Sequence, residues 1–188
     1  NNVLVTEIDG APLVKVIDFG IAKALTGRLT DHTVYTGVFQ MMGTALYMSP
    51  EQASLSHLDV DTRSDVYSLG VMLYELVTGL LPIDREQVKE MNPDQLRSHI
   101  NQYEPQRPSQ RLSTVKDELE TIAERRGLEA SQIGRLVRGE LDWIIMRAIE
   151  NDRRRRYQSP RDLAEDVQRY LDGDEVEACP PSVAYRTR

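Results

Sequence analysis

The sequence predicts an α+β fold in which a short N-terminal β-hairpin precedes a mainly α-helical body. Two apolar, β-branched runs, residues 3–5 (VLV) and 13–17 (LVKVI), flank the pair Asp9-Gly10, which is a strong hairpin signal. Further on, residues 64–78 (SDVYSLGVMLYELVT) are apolar on nearly every face and predict a buried helix. A chain of 188 residues is long enough for one domain with a sizeable core.

The composition of the chain indicates which kinds of binding partner and which cellular compartment to expect. The chain has 40% hydrophobic and 28% charged residues, as in ordinary soluble globular proteins, and a formal net charge of −7. We expect no nucleic-acid partner, because an acidic chain repels polyanions and anionic membrane. The single cysteine, Cys179, excludes an internal disulfide and a zinc site made of several thiolates. The sequence contains no run of 18 apolar residues, so it predicts no membrane span.

The central apolar run carries the end signals of a helix. Ser64 and Asp65 are expected at its start, where their oxygens suit the free amides and the positive end of the helix dipole. Gly79, followed by Pro82, is expected to end it. Residues 21–44, which precede this helix, have neither helical nor strand periodicity and predict a long loop.

Further helical segments are predicted downstream. Residues 84–104 form a polar helical region, and residues 104–111 (EPQRPSQR) predict a linker-like break because they contain two prolines. A charged helix over residues 114–126 is interpreted as a solvated surface helix. Residues 141–150 (LDWIIMRAIE) predict a mostly buried helix. The charged helix carries an apolar stripe of Val115, Leu119, Ile122 and Ala123.

The last predicted helix has well-defined ends. Ser159 is the expected N-cap, Pro160 suits the first turn, and Asp162 occupies the capping-box position. Gly173 is expected beyond its end. Its apolar stripe consists of Leu163, Val167 and Leu171.

One tripeptide raises a question about function. The apolar run VKVIDFGIAKAL is interrupted by Asp18, Phe19 and Gly20. By itself this tripeptide also fits a strand that ends in a turn, with the acid as a cap and the glycine at positive φ. Three further pieces surround it in order: Asn2 before the first apolar run, the long loop after the tripeptide, and residues 43–51 (GTALYMSPE) before the central helix.

In this order the motifs resemble the C-terminal lobe of a eukaryotic-type Ser/Thr protein kinase. The resemblance implies an α+β protein-kinase-like fold, of which this chain is the mainly helical C-lobe with an N-terminal hairpin. It covers residues 1–172 and leaves residues 173–188 as a C-terminal tail or linker. Residues 139–188 look like the corresponding part of bacterial members of the family.

The resemblance implies ATP and Mg²⁺ as cofactors and assigns residues to them. Asn2 and Asp18 would be metal ligands and would contribute to cofactor binding, because both supply the hard oxygens that Mg²⁺ prefers. Phe19 would pack inward and Gly20 would let the backbone swing, so the tripeptide would also act as a switch. Leu4 would lie beneath the adenine ring, although an ordinary core position fits this residue equally well.

The segment after the tripeptide matches the activation segment of the family. GTALYMSPE resembles the substrate platform of Ser/Thr kinases, in which Thr44 would contact the catalytic Asp and Lys. The expected partners are therefore protein substrates with Ser or Thr. A phosphate on a hydroxyl of the activation segment would order it through Arg contacts. The candidate phosphorylation sites are Thr26, Thr30, Thr33, Tyr35 and Thr36.

Three residues have structural roles in this interpretation. Glu51 would pair with Arg156, the last arginine of the basic run at residues 153–156. The basic run is thus interpreted as a structural anchor with solvated neighbours rather than as a nucleic-acid patch. Asp65 resembles the family's aspartate that hydrogen-bonds the catalytic-loop backbone, where it would be a buried acid.

Two alternatives to an active kinase remain open at this point. The catalytic Asp of the family would lie five residues before Asn2, so we expect the chain to be a fragment without kinase activity of its own. The first alternative is a pseudokinase that scaffolds partners, and the second is an unrelated helical interaction domain.

For the chain we expect a cytoplasmic location. The resemblance allows the full-length parent to be membrane-anchored and dimeric.

Overall fold

The structure is a computed structural model that describes residues 3–16, 45–54, 60–124, 127 and 129–180. They belong to two units, one within residues 1–41 and one within residues 42–188, and each is described by itself.

The first unit contributes an antiparallel hairpin of β1 (Val3–Ile8) and β2 (Ala11–Val16). Val3 pairs with Val16 at the open end, and Ile8 pairs with Ala11 next to the turn. Asp9 (φ 52°) and Gly10 (φ 78°) both adopt left-handed backbone conformations. A two-residue turn of this kind matches the right-handed twist of the strands, which is why an Asp-Gly pair favours it. The predicted hairpin is confirmed.

The second unit contains helices joined by turns and loops, and no β-strand occurs among its described residues. Its helices are α1 (Pro50–Ala53), α2 (Thr62–Thr78), α3 (Arg85–Val88), α4 (Pro93–Gln102), α5 (Pro108–Thr114), α6 (Lys116–Glu124), α7 (Ala130–Val137), α8 (Glu140–Ala148) and α9 (Pro160–Asp172).

Helix α2 begins two residues earlier than predicted. Asp61 is its N-cap, and the carboxylate accepts a hydrogen bond from the amide of Arg63 at 2.9 Å. Ser64 and Asp65 therefore lie in the first turn and not at the start, because the stronger cap stands upstream of the apolar run. The predicted end is confirmed: Gly79 adopts a left-handed conformation (φ 75°) and its amide bonds the carbonyl of Glu75 at 2.7 Å.

Helix α2 is buried on one side only. Val66, Val71 and Tyr74 are at most 1% exposed, whereas Leu69 is 39% and Leu76 64% exposed. The expectation that this helix is buried all round is therefore wrong for the structure as described. The buried side packs against α8 and α9, so α2 still forms the centre of the helical body.

Helices α2 and α8 approach so closely that a glycine is required between them. A Cβ atom added at Gly70 would lie 2.7 Å from Cβ of Ala148 and 2.7 Å from Cγ2 of Ile149. Both atoms belong to a well-packed region, where Ala148 and Ile149 are at most 1% exposed. The missing side chain is what lets the two helices meet at this distance.

The linker predicted at residues 104–111 is wrong for its second part, which belongs to a helix. Pro108 begins α5, and the cap that this helix needs comes from another helix. The carboxylate of Asp142, which is 3% exposed, accepts hydrogen bonds from the amide of Ser109 at 2.9 Å and from its hydroxyl at 2.6 Å. The proline thus marks a helix start here, a position in which its missing N–H does no harm.

The charged helix predicted over residues 114–126 is α6, and its interpretation as a purely solvated helix is wrong. Ile122 (8% exposed) and Ala123 (2%) are buried in a small core with residues of α5 and α7. Helix α7 was not predicted. The other buried members of this core are Leu112, Ile133 and Val137.

The last two predicted helices are confirmed. Ile144 and Ile145 of α8 are fully buried. Helix α9 begins with a capping box between Ser159 and Asp162 and ends at Gly173 in a left-handed conformation. Its stripe is only partly buried, since Leu171 is 68% exposed. Among the described residues, no helix combines the length and the apolar character that crossing a bilayer requires.

We expect Gly70→Ala to lower the free energy of unfolding by about 1–3 kcal/mol, because the added methyl group forces α2 away from α8. The matched control is Gly134→Ala in α7, where an added Cβ meets no atom within 4 Å. This variant should be unchanged or more stable by up to about 1 kcal/mol through helix propensity. Urea unfolding of both variants measures the difference, and equal stabilities would contradict the close contact.

Candidate functional site

Most residues predicted to carry the chemistry lie outside the described residues. The described part contains Leu4, Glu51, Asp65 and Arg156, and it brings Glu51 and Arg156 together. Those outside are Asn2, Asp18, Phe19, Gly20, Thr26, Thr30, Thr33, Tyr35, Thr36 and Thr44.

Leu4 lies in β1 opposite Lys15 and is 50% exposed. Contact with an adenine ring stays a prediction for this residue.

The SPE segment, residues 45–54, contains the short helix α1. Ser49 is its N-cap and is fully buried. Its Oγ accepts from the amide of Gln52 at 3.4 Å, and its own amide donates to Oε1 of Gln52 at 3.0 Å. Pro50 occupies the first turn, where no donor is lost. This capping box fixes the direction in which Glu51 leaves the helix.

Glu51 and Arg156 form a bidentate ion pair. Nη1 of Arg156 lies 2.7 Å from Oε1 of Glu51, and Nη2 lies 2.9 Å from Oε2. The hydroxyl of Ser64 in α2 donates to the same Oε1 at 2.7 Å. The arginine side chain is 0% and the glutamate side chain 9% exposed. Two parallel charge-assisted hydrogen bonds fix both distance and orientation.

The remaining donors of Arg156 are bonded to backbone carbonyls. Nε donates to Glu150 at 2.6 Å, Nη1 to Arg63 at 3.0 Å, and Nη2 to Asn151 at 3.3 Å. All five guanidinium N–H groups therefore have an acceptor. The ring of Tyr67 lies against the guanidinium, with its centroid 4.9 Å from Cζ. These contacts compensate for the hydration that the guanidinium loses when it is buried.

The pKa of Glu51 follows from this environment. Burial raises the pKa of the carboxyl, but the hydrogen bonds from Arg156 and Ser64 lower it further than burial raises it. The net pKa lies below the ordinary value of 4.5. Glu51 is therefore ionised at neutral pH, as the ion pair requires.

The rest of the SPE segment is fastened to α2 by contacts that the sequence did not reveal. Leu46 is 3% exposed, the hydroxyl of Tyr47 donates to the carboxylate of Glu75, and Ser68 Oγ donates to the carbonyl of Tyr47 at 2.8 Å. Burial, together with the Glu75 carboxylate, raises the pKa of Tyr47 to about 12. Ser68 and Glu75 are seven residues apart on α2, a spacing that places them on one helix face and could have indicated a shared partner.

The other residues of the basic run largely have acidic partners. Nη1 of Arg153 lies 3.4 Å from Oδ2 of Asp61, and Nη2 of Arg154 lies 3.0 Å from Oδ2 of Asp152. The hydrogen bond from Arg154 lowers the pKa of Asp152 to about 2. With Arg156 buried against Glu51, the run serves structural contacts, which agrees with its interpretation as an anchor.

Asp65 lies in the first turn of α2, where its side chain is exposed. The expected burial of this acid against the catalytic-loop backbone stays a prediction. Partial desolvation still raises the pKa of this carboxyl above its ordinary value. A hydrogen bond from Asp65 to a catalytic-loop backbone stays a prediction.

The described residues contain no group of three or more His, Cys, Asp or Glu side chains that could hold a metal ion. The predicted ligands Asn2 and Asp18 lie outside them. Their amide and carboxylate oxygens are the donor types that Mg²⁺ prefers.

We expect Glu51→Gln to lower the free energy of unfolding by about 3–5 kcal/mol, because it leaves a buried guanidinium without a counter-ion. The matched control is Glu165→Gln, which removes the partner of Arg161 in an exposed pair with 2.7 Å between the charged atoms. The control should lose no more than about 0.5 kcal/mol. Denaturant unfolding separates the two, and similar small losses would contradict a buried anchor.

The same pair predicts a pH dependence of stability. A carboxyl whose pKa is lower in the folded state stabilises the protein fully above its ordinary pKa of 4.5 and loses this contribution as the pH falls through the folded pKa. The stability difference between wild type and Glu51→Gln should therefore be constant from pH 7 to about pH 5 and shrink below about pH 4.5. A difference that stays constant down to about pH 3 would contradict the lowered pKa.

Comparisons with known proteins agree with the resemblance stated from the motifs. Residues 1–158 match the family model of the protein kinase domain. Serine/threonine-protein kinase pkn3 of Myxococcus xanthus is 36% identical over 148 residues, which cover 79% of this chain and 26% of that protein. Serine/threonine-protein kinase PknB of Mycobacterium leprae is 33% identical over 171 residues, which cover 91% of this chain and 22% of that protein. PknB of Mycobacterium tuberculosis gives the same values.

The chain thus spans about a fifth to a quarter of the length of these curated relatives. The family match covers most of the chain, and an unrelated helical interaction domain is therefore excluded. The chain belongs to the protein kinase family, as part of a Ser/Thr kinase domain of the eukaryotic type that is similar to those of bacteria.

Proposed function

We propose that the protein containing this chain transfers the γ-phosphate of ATP to Ser or Thr hydroxyls of protein substrates. The observation that carries the proposal is the anchoring of the SPE segment by Glu51, Arg156 and Tyr47, directly after Thr44. Phosphoryl transfer depends mainly on positioning and charge neutralisation, so a rigidly held substrate-facing segment is what the reaction needs.

Thr44 is the proposed link between this segment and the reacting groups. It precedes Ala45, the first residue of the SPE segment, and Leu46 and Tyr47 then hold the segment to α2. A hydroxyl next to such a fixed point loses little additional entropy when it orients a substrate or a catalytic carboxylate. In this proposal Thr44 contacts the catalytic Asp and Lys of the family.

Asn2 and Asp18 are the proposed ligands of Mg²⁺. Asn2 directly precedes Val3 and Asp18 follows Val16 by two residues, and Val3 pairs with Val16 at the open end of the hairpin. Both candidates therefore flank the same end of the hairpin in the sequence. When bound, Mg²⁺ neutralises charge on the phosphates of ATP. Leu4, which follows Val3 in β1, is the proposed apolar contact of the adenine ring.

Control of activity is proposed for the segment between the hairpin and the SPE segment. Phe19 and Gly20 form the switch at its start, and a phosphate on one of the five hydroxyl candidates orders the segment. We further propose that residues 1–172 belong to the kinase domain and that residues 173–188 lead away from it.

Asp18→Asn in the full-length protein tests the metal role. We expect Mg²⁺-dependent transfer to a Ser/Thr peptide to fall by about a hundredfold or more, because the ion supplies several kcal/mol of transition-state stabilisation. The matched control is Asp9→Asn in the hairpin turn, which removes the same charge at a left-handed position that Asn tolerates.

Radiolabelled phosphate transfer under initial-rate conditions is the measurement. Near-normal turnover of Asp18→Asn would refute the metal role. A full-length wild-type protein that transfers no phosphate to any Ser/Thr peptide would instead favour the pseudokinase alternative.

A further inference from the structure

Residues 174–180, the C-terminal strap, fold back onto the helical body after α9. Gly173 reverses the chain in a left-handed conformation (φ 77°), and the amide of Asp174 donates to the carbonyl of Arg169 at 2.8 Å. Val176 is only 2% exposed and belongs to a buried cluster that includes a residue of α2. The other buried members of this cluster are Val66, Ile144, Ala148, Tyr157 and Leu163.

A buried carboxylate holds the strap in place. Asp166 of α9 is 1% exposed. Its Oδ1 accepts from the amide of Glu177 at 2.6 Å, and its Oδ2 accepts from the amide of Ala178 at 3.0 Å and from the hydroxyl of Tyr157 at 2.6 Å. Three donors on two oxygens satisfy a charge that burial would otherwise make costly.

Tyr157 is enclosed from a second side by a cation. The guanidinium of Arg147 in α8 lies over its ring, with 4.3 Å from Cζ to the ring centroid. Nη1 of the same arginine lies 3.9 Å from Oε2 of Glu177 in the strap. Tyr157 is 1% exposed, so α8, α9 and the strap together fix its position.

The strap cluster and the Glu51 anchor are connected through neighbouring residues. Tyr157 directly follows Arg156, and Val66 directly precedes Tyr67, whose ring packs against Arg156. A shift of Tyr157 therefore moves the backbone of Arg156. Bidentate pairing with Glu51 tolerates little movement, because two hydrogen bonds must keep their geometry at once.

We propose that Asp166 is a positioning residue for phosphoryl transfer: it clamps the strap against Tyr157 and thereby fixes Arg156, Glu51 and the SPE segment. This inference rests on the proposed function, in which the SPE segment faces the protein substrate. Loosening the strap should therefore weaken the binding of the protein substrate more than the binding of ATP.

Asp166→Asn and Val176→Ala in the full-length protein test this. In Asp166→Asn, an NH₂ group replaces one of the two carboxylate oxygens, and in either orientation it faces a backbone N–H of the strap, so one hydrogen bond is lost. Val176→Ala removes apolar contacts of the strap and leaves Asp166 unchanged. Glu165→Gln is the matched control, because it removes a carboxylate from the exposed side of the same helix. Steady-state kinetics give KM for a Ser/Thr peptide and KM for ATP, at a temperature at which all variants are folded.

We expect both strap variants to raise the peptide KM by roughly threefold to tenfold, in the range for residues that act through packed neighbours. KM for ATP and both constants of the control should stay at wild-type values. A merely structural role would reduce the active fraction, which lowers kcat and leaves the peptide KM unchanged. An unchanged peptide KM in both variants would overturn the proposal.

Amide hydrogen exchange over residues 45–54 provides a readout that does not depend on activity. Faster exchange there in both strap variants, with the control unchanged, supports the coupling of the strap to the SPE segment. Exchange at the wild-type rate overturns it. Absence of phosphate transfer by the wild-type protein refutes the proposed function, and hydrogen exchange then still decides whether the coupling exists.

Discussion

The bidentate pair between Glu51 and Arg156 is the contact on which the position of the SPE segment depends. It joins the SPE segment to residues more than a hundred positions further along the chain, and its polar atoms are nearly all buried. A buried ion pair is weak support for stability, since apolar residues of similar size often stabilise a core as well. What the pair provides is one allowed geometry, because the carbonyls of Arg63, Glu150 and Asn151 accept only one orientation of the guanidinium.

Local signals predicted much of the fold. The hairpin and both ends of α9 followed from the Asp-Gly pair, the Ser159 capping box and Gly173, each of which acts within a few residues. The predicted start of α2 was wrong because its cap, Asp61, lies before the apolar run on which the prediction was based. Helix α7 was missed because, among those of its side chains that the structure describes, only Ile133 and Val137 are buried, and their partners come from other helices. Burial against distant residues leaves little trace in local periodicity.

The candidate site was predictable only where a resemblance supplied the partner. Glu51 and Arg156 could be matched in that way, whereas spacing alone could not pair residues so far apart. The hydrogen bonds from Tyr47 to Glu75 and from Tyr157 to Asp166 were not predicted, because no sequence pattern indicates which tyrosine pairs with which carboxylate.

The long separation within the anchor has a consequence for biosynthesis. Glu51 leaves the ribosome 105 residues before Arg156, which at typical elongation rates is a delay of about 5–20 s. During this interval helices such as α2 can form, since they need only local contacts. The SPE segment meanwhile lacks the guanidinium that fixes it. In a nascent chain the SPE segment is therefore fixed only after the sequence up to Tyr157 has emerged from the ribosome.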